Sequence, residues 1–103
     1  MPKVVFTKME EAVIDAIYLN TGYFLTLKAI VEKVKPIDSA SVLEVLHELV
    51  SYGWVDEIEL EYSPNIWSLT PIGVRVVFRH KAEALAEMAR SLRESHTSNE
   101  VQS

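Results

Sequence analysis

The run Ser39-Ala40-Ser41-Val42-Leu43-Glu44-Val45-Leu46-His47-Glu48-Leu49-Val50-Ser51-Tyr52-Gly53-Trp54-Val55 reads as a helix that stops at a glycine and passes straight into a strand. Val42, Val45, Leu46 and Leu49 recur at helical spacing and form one apolar stripe. Asp38, Ser39 and Ser41 are competing caps. Ser41-Val42-Leu43-Glu44 also matches a capping box, so the start is open by one turn. From Trp54 the period changes to two. Val55, Glu57, Glu59 and Glu61 alternate with Asp56, Ile58, Leu60 and Tyr62, which is strand patterning. Beyond Val55 the glutamates are expected on the solvent face, opposite Ile58, Leu60 and Tyr62. Ser63-Pro64-Asn65 is a turn cluster, and Ile66-Trp67-Ser68-Leu69 is the returning strand of a hairpin.

Two shorter helices precede this run. Thr7-Lys8-Met9-Glu10 fits a capping box, and Met9, Val13, Ala16 and Ile17 follow at helical spacing. Asn20-Thr21-Gly22 ends that helix. Tyr23-Phe24-Leu25 suits a brief extended piece. Thr26 caps a second helix from Leu27 to about Val34, with Ile30, Val31 and Val34 inward, and Pro36 stops it. After the hairpin, Thr70-Pro71 is a capping hydroxyl followed by proline at the first helical position. A fourth helix is expected from Pro71 to about Glu94, with residues 95–103 a flexible polar tail.

One domain accommodates all of this. The chain has 103 residues, 49% hydrophobic and 24% charged, which excludes a disordered chain or a coiled-coil rod. There is no cysteine, so disulfides, cysteine zinc sites and thiol catalysis are excluded. No apolar run approaches the roughly 18 residues of a membrane span. The opening Met1 to Phe6 is too short and too polar for a signal peptide, so a cytoplasmic protein without membrane contact is expected.

The order helix, short strand, helix, tight turn, helix, hairpin, long helix resembles the winged helix-turn-helix family, as in MarR-like and PadR-like regulators and small archaeal and viral ones. The resemblance spans about Met9 to Glu94. Leu27 to Val34 is similar to the first helix of the helix-turn-helix. Ser39 to Val55 resembles the recognition helix leading into the wing, with Leu46, Leu49 and Gly53 in the familiar spacing. Trp67-Ser68-Leu69-Thr70-Pro71-Ile72-Gly73 resembles the exit from the wing. The fold class implied is mainly α with a small β wing (α+β): a winged domain over residues 1–94, with recognition helix about 39–52, wing about 54–69 and last helix about 71–94. The resemblance also implies a DNA-binding transcriptional regulator whose third helix enters the major groove, with the hairpin tip along the neighbouring backbone. On that reading Ser39, Ser41, Glu44, His47 and Ser51 face the groove, and Tyr62, Ser63 and Asn65 stand at the wing.

Charge departs from the family pattern. From Pro36 through Val74 there is no Lys or Arg, whereas Asp38, Glu44, Glu48, Asp56, Glu57, Glu59 and Glu61 all fall there. Phosphate contacts supply much of the affinity for DNA, and Lys and Arg make many of them. Lys28, Lys33 and Lys35, on or just after the preceding helix, are expected to hold phosphate, with Lys3 and Lys8 near the N-terminus; Arg75 and Arg79 read either as a solvated face or as a further phosphate contact. The alternative is a winged helix that docks a protein partner on the same acidic surface instead of DNA.

The last helix carries a second signal. Phe78, Ala82, Leu85, Ala89 and Leu92 step by four, three, four and three, with Met88 alongside. A helix from Pro71 to Glu94 is about 36 Å long, against about 28 Å for a globule of the remaining residues. Val74, Val77 and Phe78 are expected against the first helix. The seam of Phe78, Ala82, Leu85, Met88, Ala89 and Leu92 is expected to meet a second copy in a homodimer.

No catalytic constellation emerges, and neither an enzyme nor a cofactor is expected. Glu44, His47 and Glu48 share a helix surface, but a solvated face explains them better than a metal site.

Overall fold

The computed structural model describes the backbone of residues 5–102 and the side chains of residues 5–94. Its elements are α1 (Lys8–Tyr18), β1 (Phe24–Thr26), α2 (Leu27–Lys33), α3 (Ser39–Ser51), β2 (Val55–Ile58), β3 (Ile66–Leu69) and α4 (Pro71–Gln102). The extended piece after α1 is a full partner in the sheet. The strand order is β1-β3-β2, antiparallel throughout, with Leu25 opposite Trp67 and Glu57 also opposite Trp67.

Local chemistry sets the helix starts. At α1 both halves of the capping box form: the Glu10 amide donates to Thr7 Oγ1 at 3.1 Å and the Thr7 amide donates to Glu10 Oε1 at 2.9 Å. Thr26 caps α2 by accepting from the Ala29 amide. Of the three competing caps for α3, Asp38 takes the role, accepting from both the amide and the hydroxyl of Ser41. Val13, Ile14 and Ile17 of α1, Ile30 of α2 and Val42, Leu46 and Leu49 of α3 are fully buried together with Val55. Met9, read as part of the α1 stripe, is 45% exposed, although its neighbour Glu10 in the same turn is buried. Trp67 is buried as expected. Trp54 is half-buried, its ring against Phe6 and Tyr52.

The wing differs from its sequence reading in which face each residue takes. Directly opposed residues of an antiparallel pair share a face. Val55 opposes buried Leu69 and Glu57 opposes buried Trp67, so Glu57 lies on the core side of the hairpin, past the point where the core covers it. Asp56 and Ile58 lie on the outer side, and Ile58 is 40% exposed. The strand ends at Ile58, so Glu59, Leu60, Glu61 and Tyr62 belong to the connecting loop and are all exposed. Alternation alone does not say which parity faces in, and here Val55 decides it.

The start of α4 is locked to the turn after α3. The Thr70 hydroxyl donates to the Gly53 carbonyl at 2.7 Å and accepts from the Gly73 amide at 2.9 Å, while the Thr70 amide donates to the Trp54 carbonyl at 3.0 Å. Gly73 is buried against the Trp54 carbonyl, and a β-carbon there would collide with that oxygen.

α4 is 32 residues long and continues past Glu94 to Gln102, so the backbone of 95–102 is helical where an irregular tail was expected. Val77 is buried and lines a groove with Glu11 and Ile14 of α1, as expected, and Val74 is half-buried against the core. Phe78, expected inward, is 64% exposed. From Ala84 to Glu94 every side chain is exposed, so α4 leaves the body there and the molecule measures 66 × 31 × 22 Å. Among the described residues no helix is long and apolar enough to cross a membrane.

The close approach at Gly73 predicts that Gly73→Ala lowers stability by about 1–3 kcal/mol, the usual range for a forced overpacking. Thr70→Ala is expected to cost about 1 kcal/mol through the lost cap. Urea denaturation measures both, and a Gly73→Ala midpoint equal to the parent's contradicts the packing.

Candidate nucleic-acid interface

The side of α3 opposite its buried stripe is open. At about 100° per residue, Ala40, Glu44, His47 and Ser51 fall together on that side, and all four are exposed. Three of them were expected to face outward. Ala40 was not singled out, although the periodicity that places Glu44 also places it. The His47 ring lies 5.8 Å from the Trp67 ring, which ties this face to the wing. The Ser51 hydroxyl donates to the Glu48 carbonyl and the Ser41 hydroxyl to Asp38, so each keeps only acceptor capacity. Ser39 is exposed at the first helical position.

Two grooves flank this face. One runs between α3 and the start of α1 and brings Lys8 beside Ser41, Glu44 and Glu48. The other runs between α3, the start of α2 and the wing, and brings Lys28 beside Leu43, Glu57, Asn65 and Trp67. Lys33 and Lys35 sit elsewhere: they line a groove against Ala12, Ala16 and Leu19 of α1, and Lys35 Nζ pairs with Glu32 Oε2 at 3.0 Å. The three lysines read together from the sequence are therefore divided between two sides of α2. The proximity of Lys8 to α3 is a product of α1–α3 packing and has no local signal.

The wing tip is open at Tyr62, which is 92% exposed, and at Ser63. Asn65 is half-buried and its amide donates to Glu57 Oε2 at 2.9 Å. One wing carboxylate is thus engaged by its own hairpin, and Asp56 lies on the outer face of the sheet.

Two ionisable groups are perturbed. The Asp38 carboxyl is held below its ordinary value, first by the Ser41 hydroxyl and then by the Ser41 amide. The Tyr52 phenol is raised, chiefly by the charge of Glu10, and then by desolvation. Among the described residues no three His, Asp or Glu side chains gather in a way that could hold a metal ion.

On α4, Leu85, Met88 and Leu92 fall within about 60° of one another and continue the helix face that touches α1 through Val77. They are 64%, 60% and 67% exposed. Ala82 and Ala89 lie at the flank of this strip, and both are exposed.

No family model matches the sequence, and no curated protein matches it. Solved structures do. A double mutant of ZitR from Lactococcus lactis aligns with TM-score 0.73 at 23% identity, over 87% of this chain and 60% of that one. The complex structure of hsRosR-S1 aligns with TM-score 0.72 at 17% identity, over 93% and 92%. The fold is a winged helix-turn-helix. TubR bound to 24 bp of tubC, from Bacillus thuringiensis serovar israelensis, shares this winged helix at TM-score 0.55 and 22% identity, over 74% of this chain and 77% of its own. The chain spans about 60% of the ZitR chain it matches.

The Asp38 cap has a pH signature. A carboxyl held down in the folded state stabilises it above the unfolded value, which is ordinarily 3.8, and that contribution is lost as pH falls through the lowered folded value. Asp38→Ala is therefore expected to be less stable than the parent at pH 7, with a smaller difference at pH 3. Urea midpoints at the two pH values test this, and a difference of equal size at both contradicts it.

Proposed function

We propose that this chain is a DNA-binding transcriptional regulator of the winged-helix type that acts as a dimer. The observation that carries this is the open polar face of α3: Glu44, His47 and Ser51 stand clear of the core on the helix that a winged helix-turn-helix offers to the major groove. Ser39 and Ser41 begin that helix, and Tyr62, Ser63 and Asn65 extend the surface along the wing. Ser41 or His47 can bond a base edge, Ser39 can hold phosphate at the helix start, and Glu44 can accept from a cytosine amino group. Lys28, Lys33 and Lys35 are the cations first read for phosphate. A related fold in TubR is bound to DNA, which supports the same use here.

The dimer rests on Leu85, Met88 and Leu92, with Phe78, Ala82 and Ala89 alongside. Apolar side chains this exposed on a projecting helix call for cover, and a second copy supplies a matching strip. A two-fold pair also presents two α3 helices to a pseudo-palindrome.

A second reading, a protein-docking winged helix, is favoured by one observation: residues 36–74 contain no Lys or Arg, and the acids of α3 and the wing are exposed. Titration of a mixed-sequence duplex at two salt concentrations separates the readings. The regulator binds at low salt and weakens steeply as salt rises; no binding at low salt leaves the docking reading. For assembly, sedimentation of Leu85→Glu is expected to give a monomer where the parent gives a dimer, and an unchanged dimer places the interface elsewhere.

A further inference from the structure

We infer that Lys8 and Lys28 are the paired phosphate ligands of the α3 face, one on each side of it, an assignment that rests on the nucleic-acid reading above. Neither α3 nor the wing supplies a cation, so any cation serving this face must come from a neighbouring element. Two lysines satisfy that. Lys8, in the first turn of α1, shares a groove with Ser41 of α3. Lys28, in the first turn of α2, shares a groove with Leu43 of α3. Ser41 and Leu43 lie about 160° apart around α3, so the two lysines stand on opposite flanks of the helix.

Both are exposed, and among the described residues neither makes an ion pair. Lys35 and Lys81 differ: each is held by a carboxylate, Glu32 and Asp15 respectively. A helix with its side chains is about 10–12 Å across and fills a major groove about 12 Å wide. Phosphates then line both of its flanks, where a long lysine reaches the backbone of each strand. Lys8 has a second effect. It sits beside Glu44 and Glu48, so it offsets the repulsion those carboxylates exert on the same backbone. Lys33 lines the α1–α2 groove, on the other side of α2, and takes no part. The ligand is the phosphodiester backbone of duplex DNA, and base identity is read by α3 itself.

Counterion release makes the assignment countable. In a titration of a mixed-sequence DNA duplex across a salt series, Lys8→Gln and Lys28→Gln are each expected to make the plot of log K against log salt shallower by about 0.9, and the double variant by about 1.8. Lys33→Gln is expected to keep the parental slope, as are the charge-preserving Lys8→Arg and Lys28→Arg. If Lys8→Gln or Lys28→Gln keeps the parental slope while the parent binds, the pairing is wrong and the nucleic-acid reading stands. If Lys33→Gln loses as much slope as either, the assignment to flanks is wrong. If the parent shows no duplex binding at low salt, the nucleic-acid reading fails and takes the assignment with it.

Discussion

The joint between Thr70, Gly73 and the Gly53–Trp54 turn holds the functional geometry together. Three elements end or begin there: α3 finishes at Ser51, β2 starts at Val55 and α4 starts at Pro71. One hydroxyl, donating to Gly53 and accepting from Gly73, bonds the end of α3 to the beginning of α4. The missing β-carbon at Gly73 lets α4 come down onto the Trp54 carbonyl. Since α4 also packs on α1 through Val77, its direction relative to α3 is set at two points. In a dimer joined through α4, the spacing of two α3 helices would follow from this joint, which gives the Leu-Thr-Pro-Ile-Gly segment a physical role beyond its resemblance value.

Electrostatics decides how such a surface could meet nucleic acid. The acids between Asp38 and Glu61 look prohibitive when counted along the chain. In space they are dispersed. Asp38 is consumed by its cap, Glu57 accepts from Asn65, and Asp56 is on the outer face of the sheet. Glu44 remains on the open face of α3, and Glu48 beside it in the groove that also holds Lys8. Hydrogen bonding leaves Asp38 and Glu57 charged, and Glu59 and Glu61 are exposed in the wing loop, so the deficit over α3 and the wing persists and has to be met by cations from neighbouring elements.

Much of the fold was legible because its signals are local. The Thr7–Glu10 capping box, the Pro71 start and the change of period at Trp54 fall within a few residues of the features they define, whereas the Ser41–Glu44 match is passed over for Asp38. The wing faces were not legible: strict alternation from Val55 to Tyr62 marks two faces without naming the inner one, and the pairing of Val55 with Leu69 and of Glu57 with Trp67 settles it. The third strand was half visible, since Tyr23-Phe24-Leu25 reads as extended, one residue out of step with the observed Phe24–Thr26, but its partner is forty or more residues away in the chain. The end of α4 was misjudged because the polar run after Glu94 lacks the apolar spacing that marks a buried helix, and a helix that projects from the body needs none. At the candidate site, the outward face of α3 followed from periodicity. The separation of Lys28 from Lys33 and Lys35, and the arrival of Lys8, depend on how α1 and α2 pack around α3, which no short stretch of sequence encodes.

The most direct test is a heteronuclear NMR titration of the whole chain with a mixed-sequence DNA duplex at low salt. An outward-facing reading helix predicts amide shift changes concentrated at Ala40, Glu44, His47 and Ser51, with a second group at Tyr62 to Asn65. Absence of any change, or changes confined to α4 and the outer face of the sheet, would contradict it.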